Sequence, residues 1–264
     1  IVFPFLLLIS VSLSSEKNIA LFGYTLLPKR IDFSAYRYVF ENSSSIINAY
    51  GVTFAFSILS MVFSVLLIAM IAYPLSKKGF RGKKQISLFV YFTMLFSGGL
   101  VPTYIVITQY LHLGDTFWVY ILPGLISPWY IFMMRTFFQG IPVEIIESMY
   151  IDGASEYKIF FKMILPLSKP VLATIALFVF LGKWNDWMTT MLYIDNESLV
   201  SLQYLLQRIM QNIQILQESS KLTAGLIDIS NIPSETARMA MAIIVAGPAL
   251  LVFPFFQKYF VKGL

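Results

Sequence analysis

The sequence predicts an all-α, polytopic membrane protein with six transmembrane helices, and three observations carry that class. First, 58% of its 264 residues are hydrophobic, and the mean hydropathy is +0.74. Second, only 12% are charged. That is about half the ~25% of an average soluble domain, too few polar side chains to cover a soluble core of this size. Third, the apolar runs are continuous and do not alternate, so they suit helices rather than the strands of a transmembrane barrel.

Six spans follow in order. The first occupies Ile1 to about Leu13. It reads as the remnant of a longer span, not as a signal peptide, because the chain opens directly in an apolar run. The second runs from about Ile47 to Leu75 and is long enough to tilt or protrude. The third covers about Ile86 to Tyr110, the fourth about Phe117 to Phe138, the fifth about Pro170 to Tyr193 and the sixth about Ala237 to Phe260. Most of these match the roughly 20 residues that a ~30 Å hydrocarbon layer demands. No long repeat and no low-complexity linker divides them, so residues 1–264 are expected to form a single membrane domain.

Charge sets the orientation. Lys77, Lys78, Arg81, Lys83 and Lys84 form a loop with five positive charges and no acid, which the positive-inside rule places in the cytoplasm. Counting from it puts the loop from about 140 to 166 inside, together with Lys258, Lys262 and both termini. Ser14–Ile46 and Ile194–Thr236 fall outside. The net charge of +5 is explained by these loops rather than by nucleic acid. With no cysteine and one histidine, His112, disulfides, thiolate metal sites and His-rich clusters are excluded. His112 itself falls in a short outer turn.

Two loops have helical logic of their own. On the outer side, Leu202, Leu205, Leu206, Ile209, Ile213 and Leu216 recur at helical spacing among glutamines. This predicts an amphipathic helix or helix pair on the surface, either a plain solvated helix or a part that gates or meets a receptor. Residues 230–236, with Pro233, then read as the start of the last span.

On the inner side, six charges lie between Glu144 and Lys162, so this segment stays out of the bilayer. Pro142 suits a first turn, and Glu144 and Glu147 suit the positive end of a helix dipole. Gly153 is a natural break. Ser155 is placed to cap a second helix whose apolar side carries Ile159, Phe160, Met163 and Ile164. Pro166 and Pro170 close that helix and open the fifth span. The result is a helix–bend–helix plug with a charged tip. It is either an ordinary interfacial loop or a part that moves with a groove in a partner.

This loop also resembles the EAA loop of importer-type ABC transporter permeases. Glu147-Ser148-Met149 stands for Glu-Ala-Ala, Gly153 for its fixed glycine and Met163-Ile164-Leu165-Pro166 for its closing run. Serine and methionine replace the two alanines. Further stretches are similar to MalG-like sugar permeases of the LplC/YtcP-type branch: residues 72–76 and 80–83, Met94 to Thr103, Ile141-Pro142, residues 151–155, Leu165 to Pro170, Trp184-Asn185 and Gln257 to Leu264.

The resemblance implies the type I ABC importer permease fold. It implies a second homologous permease subunit, two ATPase subunits and a lipid-anchored or periplasmic binding protein that delivers an oligosaccharide across the bacterial cytoplasmic membrane. It assigns ATPase coupling to Glu147, Ser148, Met149, Asp152, Gly153, Ala154, Ser155, Tyr157, Leu165 and Pro166. ATP and Mg belong to the partners. Neither Gly79–Lys84 nor Gly182-Lys183 has the spacing of a phosphate loop, so this chain is expected to bind no cofactor and to be no enzyme.

Polar residues within spans are candidates for the solute path. Lys183, Trp184, Asn185, Asp186 and Trp187 form the main group. Helical spacing allows Lys183 to pair with Asp186, indoles at 184 and 187 can stack on a sugar ring, and Asn185 offers a donor and an acceptor. Bracing of the bundle competes with this role, chiefly at Asn185. Tyr104 and Gln109 are secondary candidates. Gly98, Gly99 and Pro102 mark a hinge or a close helix crossing. Arg135 is expected to snorkel to cytoplasmic headgroups.

Three other readings stand beside an importer of saccharides. The same architecture could carry another binding-protein-delivered solute. An ion-coupled carrier would need more buried carboxylates than Asp186. An intramembrane enzyme would need a Ser/His or paired-Asp constellation, and the spans have none.

Overall fold

A computed structural model describes residues 2–222 and 234–261. The start signal at Pro233 and the terminal Lys262 lie outside the described residues, as do the side chains of Leu216 and Lys258. Among the described residues every regular element is helical, apart from one isolated antiparallel bridge between Ser14 and Ile31.

The first expected span is α1 (Val2–Ser12), and two short helices follow, α2 (Glu16–Phe22) and α3 (Ser34–Val39). The second is α4 (Ser43–Ser76), with 34 residues and a mean hydropathy of 2.6 over its most apolar window. At 1.5 Å per residue it is ~51 Å long, so it exceeds a ~30 Å hydrocarbon layer by several turns. Pro74 sits near its end and, lacking an N–H, cannot bond the Met70 carbonyl one turn back.

The third expected span is two helices, α5 (Lys83–Leu95) and α6 (Leu100–Ile105), the latter continued by a wider turn to Tyr110 and bent 113° from α5. The cause is Gly99, at φ +86° and ψ 178°, a conformation essentially confined to glycine. The fourth is helical only in a short 3₁₀ turn, Phe117–Tyr120, and in α7 (Pro128–Gln139). Between them Pro123 lacks a donor and Gly124 sits at φ +79°, so a continuous helix does not form.

After α8 (Val143–Ile151), α9 (Glu156–Ile159) runs through a π turn, Phe160–Ile164, into α10 (Leu165–Leu167). The π turn bonds the Leu165 N–H to the Phe160 carbonyl. That shifts the register just before Pro166, whose ring would otherwise meet a carbonyl one turn back. The fifth expected span ends early: α11 (Lys169–Trp184) stops, and α12 (Met188–Tyr193) begins after a break. The expected surface helix is one element, α13 (Leu202–Leu222), and the last expected span falls on α14 (Glu235–Val261). Among the described residues, α4 alone is long and apolar enough to cross a membrane by itself. Counting each bent pair, α5 with α6 and α9–α10 with α11, as one span raises the number to three.

The chain divides into two compact units, Ile1–Thr53 with Asn185–Val252, and Phe54–Trp184 with Phe253–Leu264. In the first, α13 turns Leu202, Leu205, Leu206 and Ile213 inward and leaves Gln211 and Gln214 exposed, as its spacing predicts. The buried Thr53 hydroxyl accepts from the Leu202 N–H at 2.9 Å, closing the start of that helix.

In the second unit, α4 contributes Ile68, Ala72 and Leu75 and α7 contributes Ile131, Met134 and Phe138, each set on one helical stripe. Ile159, Phe160, Ile164 and Ile175 complete the core. Where lipid is the alternative, such packing gains by contact rather than by escape from water. At the polar end, around Ala154 and Ile159, water is the alternative and burial of each large side chain gains about 1.5–3 kcal/mol.

Candidate functional site

The inner loop builds its knuckle from three consecutive residues. Gly153, at φ +69°, donates its N–H to the Tyr150 carbonyl at 3.0 Å, and Ala154 donates to the Met149 carbonyl at 2.9 Å. This pair of bonds is the Schellman stop, which needs a left-handed residue at the glycine position. Its customary apolar contact is present too, because Ala154 is buried in the core and Met149 packs against the same cluster. Ser155 then accepts from the Lys158 N–H at 3.4 Å and starts α9. Two helices therefore meet across a two-step turn that is pinned underneath.

The expected apolar face of the second helix is observed: Ile159, Phe160 and Ile164 are buried and Met163 is half-buried. Pro142 sits one position earlier than expected, at the N-cap of α8. Methionine at 149 is accommodated as a partly buried anchor, so the alanine of the family pattern is not needed for close packing here.

None of the side chains of α8 is buried. Glu144, Glu147, Ser148 and Asp152 point outward, and so do Val143 and Ile151. Ile151 is 86% exposed, the most exposed large hydrophobic among the described residues, and Tyr157 beyond the turn is 76% exposed. Leu165 is partly buried against the core, and Pro166 is exposed. All ten coupling candidates thus fall in one structural unit, with Ala154 as the buried anchor of the turn and Leu165 and Pro166 on α10 beyond the π turn.

A polar hub that sequence spacing does not reveal holds this projection to α4. The Glu156 carboxylate receives the Tyr150 hydroxyl at 2.5 Å and the Tyr73 hydroxyl at 3.1 Å, and it pairs with the Lys77 ammonium. Lys77 also donates to the Tyr150 hydroxyl at 2.9 Å and stands 4.5 Å from the Tyr73 ring centroid. Burial alone would push the Glu156 carboxyl up, but the Lys77 ammonium and the two tyrosine hydroxyls outweigh it and hold the carboxyl below its usual range. Burial would likewise lower Lys77, and the same partners raise it instead.

The hub's contribution to stability is therefore fully present above the ordinary glutamate value of ~4.3 and is lost as pH falls below it. On the basic side it is fully present below the ordinary lysine value of ~10.4 and is lost as pH rises through the raised value. With the Glu156 side chain 54% exposed, the pair contributes only about 1 kcal/mol or less. Glu156→Gln is expected to cost about that amount at pH 7 and progressively less as pH falls below ~4.3 through the lowered carboxyl value, as read from thermal unfolding in detergent. Beside the hub lies a cavity of about 360 Å³ bordered by Met70, Pro74, Tyr157 and Phe161.

The solute-path candidates are placed differently from what their spacing suggested. α11 ends at Trp184, so positions 183 and 186 do not share a helix. Lys183 instead donates to the Tyr120 carbonyl at 2.5 Å and the Pro123 carbonyl at 3.4 Å, bracing the segment before α7. Asp186 accepts from the Thr189 N–H at 3.0 Å and the Thr189 hydroxyl at 2.7 Å, capping α12. Trp184 is 1% exposed and stacks on Phe180 at 5.7 Å. Its indole is buried in packing within this chain.

Asn185 is exposed and accepts from Gln203 at 2.9 Å, and Trp187 is half-buried at the start of α12. The boundary between the two units falls between Trp184 and Asn185. Tyr104 and Gln109 are exposed on the far arm of the bent pair. A Cβ on Gly99 would meet nothing within 4 Å, and one on Gly98 would meet only Pro102 at 3.6 Å. Of the two, Gly99 alone holds a backbone conformation reserved for glycine. Among the described residues no group of three or more His, Cys, Asp or Glu is arranged to hold a metal ion.

The family of binding-protein-dependent transport system inner membrane components matches residues 48–264. Protein LplC of Bacillus subtilis is 36% identical over 263 residues, covering 100% of this chain and 87% of that protein. The polygalacturonan/rhamnogalacturonan transport system permease protein YtcP of the same organism is 36% identical over 263 residues, covering 99% and 90%. A solved bacterial ABC transporter involved in the import of the acidic polysaccharide alginate has a chain that superposes with a TM-score of 0.85 at 29% identity, covering 98% of this chain and 90% of that one.

Proposed function

We propose, from the premise that this chain belongs to the family of binding-protein-dependent transport system inner membrane components, that it is one of two permease subunits in an ATP-driven importer of saccharides. The family is one of transport permease subunits of bacterial inner membranes. The observation that carries the mechanism is the projecting knuckle. A surface with Ile151 86% exposed beside Glu147, Ser148 and Asp152 suits neither lipid, because of its charge, nor water, because of its apolar area. It suits a groove in an ATPase partner. Its two-step turn and its anchorage by Ala154 let a push at the tip reach α4, α7 and α11 without being absorbed by bending.

Saccharide cargo is supported by the transport names of the relatives and by the importer with the same fold. An extracellular binding protein delivers the cargo, a second permease completes the path, and two ATPase subunits bind ATP and Mg. The knuckle faces the cytoplasm, and so do both termini. Within the path, Asn185 and Trp187 are open to a solute, Tyr104 and Gln109 are further contacts, and Gly98, Gly99 and Pro102 form the hinge of the bent third span. Trp187→Ala is expected to raise the KM for uptake while leaving thermal stability nearly unchanged. Trp184→Ala is expected to cost about 3–5 kcal/mol of stability as a buried aromatic truncation. Equal effects of the two on unfolding would remove Trp187 from the path.

The whole assembly is tested by purifying the tagged chain from its own membrane. A second permease and an ATPase should accompany it, and the reconstituted complex should hydrolyse ATP faster when a binding protein loaded with its saccharide is added. A chain that transports alone, without nucleotide, would overturn the reading.

A further inference from the structure

Between the start of α5 and the inner end of α7 lies a cleft of about 690 Å³ whose chemistry differs from that of the hub cavity. The cation of the hub cavity is neutralised, because Lys77 pairs with Glu156. The α5–α7 cleft is lined by Lys83, Lys84 and Arg135 and by no acid. Lys83 is spent on the carbonyls that end α4, at 3.0 Å from that of Lys77 and 3.4 Å from that of Ser76. Arg135 is half-buried and held by the Ser87 hydroxyl at 3.1 Å, a neutral partner that orients the guanidinium without cancelling its charge. Lys84 is exposed at the mouth.

Gln85 and Ser87 add neutral polar groups, and the apolar part of the wall is formed by Phe80, Leu88, Tyr91 and Phe132. Leu88 is 64% exposed and Tyr91 48%, and the same helix carries Phe92 and Leu95 exposed further along. A cationic end therefore runs into an apolar track parallel to a span. That is the outline of one phospholipid, with a phosphate at the charged end and an acyl chain along the helix. A protein partner would need no such long apolar track leading away from the charges.

We propose that this cleft binds an anionic phospholipid, with Arg135 and Lys84 on its phosphate and an acyl chain along Leu88 and Tyr91. The site rests on the orientation proposed above, which puts the Lys77–Lys84 loop at the cytoplasmic surface. Each cation near an anionic headgroup is worth about fivefold in affinity at physiological salt.

The test uses the complete transporter in detergent, titrated with phosphatidylglycerol or phosphatidylcholine and read by native mass spectrometry. The expected result is about 25-fold tighter binding of phosphatidylglycerol, about a fivefold loss of that preference in Lys84→Gln, and its disappearance in Lys84→Gln with Arg135→Gln. Lys162→Gln, an exposed cation on the inner loop, should leave the preference intact. Lys84 is exposed, so its single variant keeps the test decisive even where the double variant fails to assemble.

Equal binding of the two lipids by the unmodified complex would overturn the proposal, as would a preference unchanged by Lys84→Gln. Displacement by millimolar inorganic phosphate would assign the cleft to a free anion, and loss of an ATPase subunit with lipid preference unchanged would assign it to a protein. Either outcome also overturns the lipid site. A complex that keeps the preference but takes up no saccharide counts against the transport reading alone.

Discussion

Gly153→Pro is expected to abolish the coupling of ATP hydrolysis to uptake while leaving the chain inserted and assembled. Proline fixes φ near −65°, whereas Gly153 stands at +69° and donates its N–H to Tyr150. The substitution removes that bond and forbids the turn, at a cost of about 3 kcal/mol or more. The Schellman stop then cannot form, and α8 loses its fixed direction relative to Ala154.

A graded series isolates the cause. Open space surrounds the position, since a Cβ would meet nothing within 4 Å, so only the backbone angle penalises a side chain. Gly153→Ala should cost about 1–2 kcal/mol, and Gly153→Asn should cost less, because asparagine tolerates the left-handed region. Substrate-stimulated ATPase activity should fall in the order Gly, Asn, Ala, Pro. Full stimulation in the proline variant would show that the turn transmits nothing.

The largest expected loss of stability away from the core is at Glu16. Its carboxylate, at the start of α2, caps the first turn of α14 from more than 200 positions away in sequence. It accepts the Ser234 hydroxyl at 2.7 Å, the Glu235 N–H at 3.0 Å, the Thr236 N–H at 3.1 Å and the Thr236 hydroxyl at 2.9 Å. A negative charge at a helix N-terminus is favoured by the dipole as well as by the bonds. Thr236 is fully buried, so truncation leaves donors without water as a substitute. Glu16→Ala is expected to cost about 2–3 kcal/mol, lowering the unfolding midpoint in detergent by on the order of 5–10 °C. Glu16→Gln keeps an acceptor and should lose about half as much. A midpoint unchanged by either substitution would show that the clasp does not contribute in solution.

What was legible in the sequence is what spacing and backbone chemistry encode locally. The long α4, the amphipathic α13 and the stop at Gly153 each follow from a periodic pattern or a residue with special angles. Gly98-Gly99 marked an interruption, yet the sequence did not give its angle of 113°, because one left-handed glycine fixes direction only once its neighbours pack. The hub at Glu156 was invisible for a different reason. Tyr73 and Lys77 lie 83 and 79 positions away from it, and a loop lysine looks the same whether solvated or paired. Lys183 misled because its partners are the carbonyls of Tyr120 and Pro123. Backbone acceptors have no signature in side-chain identity, so the nearby Asp186 offered a more obvious partner.

The exposed tip of the knuckle offers the most direct measurement, because the chain contains no cysteine and Ile151→Cys introduces a single thiol. The reactivity of that thiol toward a soluble maleimide is measured in membranes with the ATPase subunit present, and again after its removal. Docking of the loop into the ATPase requires strong protection in the first case, release in the second, and a cross-link from position 151 to the ATPase when the maleimide is bifunctional. A thiol equally reactive in both, and cross-linked to nothing, would contradict the account.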